Sequence, residues 1–120
     1  MRENVTRYVS PDSALTFLVI RDPDDITLGF EGYPWHTHGD ILAELSGHAA
    51  EEAVYRFVED LLGNALVIAV ISVDGVITDV RPKDDPETPD RYQPEKEQIQ
   101  LRYWSGAPFR AGEATRRWNL

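Results

Sequence analysis

Nine consecutive residues, Gly32-Tyr33-Pro34-Trp35-His36-Thr37-His38-Gly39-Asp40, gather two of the chain's three histidines, a tryptophan, a tyrosine and a carboxylate. Gly and Pro punctuate the stretch, so it reads as a loop reached from a strand, and loops carry function more often than cores do. In an extended His-x-His both imidazoles fall on one side, because side chains alternate along a strand. That arrangement suits either a pair of metal ligands or a polar contact surface.

As metal ligands, His36 and His38 would be joined by Asp40, Glu31 or His48. Imidazole with carboxylate suits zinc, nickel or manganese. Zinc sites, however, usually supply three or four protein ligands at recognisable spacing, and only two are fixed here. A purely structural explanation covers the same residues. Trp35 and Tyr33 would pack over a sheet edge, the imidazoles would hold backbone groups of the turn, and Asp40 would N-cap a helix over Ile41–Leu45.

Nucleophilic chemistry finds little support. Ser46-Gly47-His48 brings a hydroxyl near an imidazole, but a Ser just before a helix ordinarily caps it. No Gly-x-Ser-x-Gly elbow and no phosphate-cradling glycine loop occurs. The Asp84-Asp85 pair lies in a solvated stretch, where carboxylates keep ordinary acidity. The chain is therefore read as a non-enzyme that needs no cofactor. Its alternative is a metal-binding protein or small metalloenzyme built on His36 and His38.

Composition narrows the partners. With 12 Lys plus Arg against 21 Asp plus Glu, the net charge is -9, which repels nucleic-acid phosphates and anionic lipid and favours a basic protein, a cation or plain solubility. There is no Cys, so disulfides and thiolate sites are excluded and a reducing compartment fits. Met1–Ser10 lacks an apolar core of signal-peptide length, and no segment nears the roughly 18 apolar residues of a membrane span. A cytoplasmic protein is expected. A chain of 120 residues with 42% hydrophobic content is expected to form one domain, with residues 107–120 as a tail that Trp118 could order.

The elements that must position the motif follow from periodicity. Ala14–Ile20 is a β-rich run, and Ile26–Glu31 alternates, with Ile26, Leu28 and Phe30 on one face. The five-residue link containing Asp22, Asp24 and Asp25 suits a hairpin. Ala49–Leu62 carries apolar residues at 3.6-residue spacing, started by Ser46 or Gly47 and stopped by Gly63-Asn64, and a shorter helical turn fits Asp40–Leu45. Leu66–Val73 is continuously apolar, hence a central strand, and Asp74-Gly75 turns it into Val76–Val80. Arg81–Gln98 holds four prolines among charges and reads as an exposed loop. Ile99–Trp104 alternates again and closes the sheet. The expected fold is α+β, with about five mostly antiparallel strands in the order β-β-α-β-β-β and one main helix on one face.

Exposed aromatics beside carboxylates also describe a protein-binding surface, since aromatics anchor an interface and acids steer a cationic partner. Tyr33, Trp35 and Tyr92 are the loop aromatics. Tyr103 shares a strand face with Ile99 and Leu101 and is expected inside, with Trp104 on the surface. Asp84, Asp85 and Glu87 provide the acidic rim, with His36, His38 and Asp40 completing the contact set. An open sheet edge would also admit a homodimer.

A strand ending in Gly29-Phe30-Glu31 runs into Trp35-His36-Thr37-His38-Gly39-Asp40 and then a helix, and the chain closes on Arg102-Tyr103-Trp104-Ser105-Gly106. In these features the stretch from Ala14 to Gly106 resembles small immunity proteins of bacterial polymorphic toxin systems. The resemblance implies a cytoplasmic, non-enzymatic α+β inhibitor that binds and occludes a cognate toxin domain, often a nuclease. It carries over only Trp35, His36, His38 and Asp40, as the motif. Variable loops often set specificity in such families, which would point to Asp84–Glu97.

Overall fold

A computed structural model of the protein describes residues 4–86 and 97–120. In chain order the elements are β1 (Asn4–Val9), β2 (Thr16–Arg21), β3 (Ile26–Phe30), β4 (His36–His38), α1 (Gly39–Ser46), α2 (Ala50–Leu62), β5 (Ile68–Val73), β6 (Val76–Pro82) and β7 (Glu97–Arg102). The fold is α+β and its strand pairs are antiparallel. The expected single sheet of about five strands is corrected. Among the described residues there are two sheets, of order β1-β2-β3-β4 and β6-β5-β7, and two helices lie between them in sequence.

The difference has local causes. In β1 only Thr6 and Tyr8 face inward, and both are half-buried, so the strand carries no strong apolar alternation. The three-residue β4 is too short for any periodicity to register. Together these two strands flank the β2–β3 hairpin and complete the larger sheet.

Inner-face residues Phe17, Val19, Leu28 and Phe30 of that sheet are almost fully buried. Against them lie Ala53, Val54, Phe57, Val58 and Leu61 of α2, the stripe expected from 3.6-residue spacing. Leu66, Ile68, Val70 and Val80 from the β5–β6 region join the same core. α2 begins after Ala49, without a side-chain cap, rather than at Ser46 or Gly47. Ser46 ends α1, and Gly47, at φ 77°, terminates it. The stop at Gly63-Asn64 is as expected, with Asn64 adopting the left-handed turn at φ 60°.

β5 is the central strand of its sheet, with Ile68, Ala69, Val70 and Ile71 buried on both faces. Asp74 and Gly75 both have positive φ, the backbone that a two-residue hairpin turn requires. A bulge opposite Thr78 shifts the β5–β6 register between Ile71 and Ser72, and Thr78 donates its hydroxyl to the Ile71 carbonyl at 3.3 Å.

An aromatic chain crosses the core. Trp118 meets Phe57 at 5.4 Å between ring centres, Phe57 meets Phe17 at 5.9 Å, Phe17 meets Phe30 at 5.0 Å and Phe30 meets Trp35 at 6.2 Å. Trp118 therefore docks the segment after residue 107 onto α2, and its indole N–H donates to Asp60 at 3.1 Å. Trp104 is buried with Tyr103, not exposed as its strand parity suggested. The strand ends at Arg102, so alternation does not extend to residue 104. No helix among the described residues is long and apolar enough to cross a membrane.

One ion pair ties the β1–β2 turn to the end of β7. Arg102 is buried and donates to Asp12 at 2.8 Å and to the carbonyls of Tyr103 and Trp104. Gly106, at φ 100°, closes the same turn region, and a Cβ there would lie 2.8 Å from the Asp12 carboxylate. Hydrogen bonds from Arg102, then Ser10 and the Ala14 N–H, hold the Asp12 carboxyl well below the usual carboxylate range. A depressed folded-state value contributes stability that is present above the unfolded-state value of about 3.9 and lost as pH falls through the folded one. Melting temperatures measured from pH 7 to pH 2 should show wild type and Asp12→Asn separated by a constant gap at neutral pH. That gap should narrow progressively below about pH 4. Parallel curves throughout would refute the assignment.

Candidate functional site

The aromatic-histidine stretch becomes the edge strand β4, paired with β3 through Thr27↔His38, Leu28↔Thr37 and Gly29↔His36. Gly29 permits the close approach, since a Cβ there would lie 2.9 Å from the Trp35 carbonyl oxygen. Thr37 points inward and is buried, so both histidines lie on the opposite, outer face. Tyr33 and Trp35 are half-buried and pack on the core edge. The Trp35 N–H donates to Asp79 of β6 at 3.2 Å, which links the two sheets at this point.

Each imidazole is held through the same ring nitrogen. His38 Nδ1 lies 2.7 Å from Asp25 Oδ2 and 3.4 Å from the Thr27 hydroxyl. His36 Nδ1 lies 3.1 Å from the Pro34 carbonyl oxygen. The rings stand perpendicular, 5.2 Å apart.

His38 also occupies the N-cap position of α1, with extended backbone and no side-chain cap. Asp40 is therefore not the N-cap. It sits in the first turn, exposed, where its carboxylate accepts from the Ile41 N–H at 2.9 Å and faces the positive end of the helix.

A cleft of about 290 Å3 opens beside His38. Asp22, Asp24, Asp25, Asp40 and Glu51 line it, bringing the β2–β3 turn, the start of α1 and the start of α2 together. Asp22 shapes the turn by accepting the Asp24 and Asp25 N–H groups, and Arg21 pairs with Glu51 at 3.2 Å. Asp22, Asp24 and Asp25 were legible only as turn residues. Their place beside His38 depends on the β3–β4 register, which no local pattern signals.

The remaining expected site residues lie elsewhere. Asp84 does not project toward solvent as a free acid, because it accepts the backbone N–H groups of Trp118 at 2.9 Å and Leu120 at 2.6 Å. Asp85 lies 3.6 Å from Arg117. Glu87 and Tyr92 lie outside the described residues. Of the candidates to complete a metal set, Glu31 pairs with Arg7, and His48 lines a separate cleft with Arg56 and Arg116. Among the described residues, no group of three or more His, Cys, Asp or Glu is arranged around a common point. The Ser46 hydroxyl accepts the His48 N–H, which accounts for that pair without nucleophilic chemistry. The chain matches no protein-family model, no curated protein and no solved structure.

Proposed function

We propose that the chain is an acidic protein-binding module of the immunity type, which binds a basic toxin domain and occludes its working surface. The observation that carries this reading is the acidic cleft. Its five carboxylates stand beside half-buried His38, whose Nδ1 lies 2.7 Å from Asp25. Even with Arg21 paired to Glu51, such a surface offers Lys and Arg side chains a net negative field, in a chain whose net charge is -9.

This reading puts the contact surface at the acidic cleft, since Asp84 and Asp85 already have partners within the chain. Asp84 and Asp85 serve the C-terminal segment, and the β2–β3 turn with the start of α1 takes their place. A pull-down with tagged protein from its native lysate, at low salt, tests the reading. Recovery of one basic protein domain in near-equal amount, released by raising salt, is the expected result. Retention of no specific protein, or of one indifferent to salt, would overturn it.

A further inference from the structure

The outer face of β4 carries a second chemistry that does not depend on the partner reading. A carbonyl or carboxylate oxygen can only accept, so the contacts to Asp25 and Pro34 assign the proton of each neutral imidazole to Nδ1. Each Nε2 is then an unprotonated lone-pair donor. Metal-bound histidines show this same pattern, one nitrogen on the ion and the other donating to a carboxylate or backbone carbonyl. We propose that His36 and His38 form a two-imidazole chelate for a divalent metal ion of borderline softness, zinc foremost, with solvent completing the coordination.

The spacing fits that use. With Zn–N bonds of about 2.0–2.1 Å, an ion in line with a ring's Nε2 sits roughly 3.2 Å from that ring's centre, so ring centres 5.2 Å apart are near enough to share one ion at an angle of about 110° when both Nε2 atoms face it. The strand geometry keeps both rings on one face, and Asp25 and Pro34 fix how each is turned. His36 is exposed, so an ion can reach the pair from solvent. With two protein ligands and open positions, the site resembles a chelating clip rather than a closed structural centre.

The test is calorimetric titration of zinc chloride into the untagged, chelator-stripped full chain. One equivalent should bind. His36→Gln and His38→Gln should each weaken it by at least about 10-fold, and Asp25→Asn by about 10-fold through the lost second partner. His48→Gln should change nothing. In the unsubstituted chain, zinc should shift the Nε2 resonances of His36 and His38 but not of His48, which separates ligation from any unfolding of the variants. Absence of uptake, uptake undiminished in the double variant, or Asp25→Asn binding as tightly as wild type would each overturn the proposal.

Discussion

Phe57→Ala should lower the stability of the protein by about 4 kcal/mol. The ring is fully buried and lies between two others of the aromatic series, 5.9 Å from Phe17 and 5.4 Å from Trp118. Its removal takes apolar surface out of the core and leaves a void between α2 and the inner face of the β1–β4 sheet. That void cannot collapse freely, because Phe17 is pinned by Phe30 and Trp118 by its bond to Asp60. Small domains are stable by only about 5–15 kcal/mol, so the variant should sit near the limit of folding. Guanidinium unfolding followed by tryptophan fluorescence would measure the loss. Tyr55→Ala, on the exposed side of the same helix at 63% exposure, should stay within about 0.5 kcal/mol of wild type. A Phe57→Ala loss below about 1 kcal/mol would mean that the helix is not held through this ring.

Local pattern made some of this architecture legible and left the rest hidden. α2 was readable because one helix face satisfies 3.6-residue spacing over thirteen residues. The β5–β6 hairpin was readable because Asp74-Gly75 accepts a backbone that few other pairs tolerate. β1 was not, since it is an edge strand whose Val5 and Val9 stay exposed. Division into two sheets depends on which strands meet across the core, and pairings of that kind leave no periodic trace. The same limit applies to the site. His36 and His38 were found from their spacing, whereas Asp25 joins His38 only through register. Asp84 looked like a solvated acid because its partners, the N–H groups of Trp118 and Leu120, lie more than thirty residues further along.

Reversing the charge of the acidic cleft should slow association with the proposed basic partner by about 10- to 100-fold at low salt. Asp24→Lys with Asp40→Lys is the appropriate pair, since both side chains are exposed and line the cleft. Asp22 is left intact because it holds the turn. Each change replaces -1 by +1, so the pair moves the net charge from -9 to -5 while placing two like charges in front of the incoming Lys and Arg. Long-range attraction acts before contact, so the effect should fall on the association rate and much less on dissociation. The Asp24→Asn, Asp40→Asn variant removes half as much charge difference and should lie between the two on a logarithmic rate scale. Screening supplies the internal control. The Debye length shrinks from about 10 Å at 0.1 M to about 3 Å at 1 M, so the three association rates should converge as salt rises. Stopped-flow or surface-binding kinetics with the isolated partner would read all of this. Equal association rates for the three proteins at low salt would remove the cleft from the interface, whatever partner the pull-down had identified.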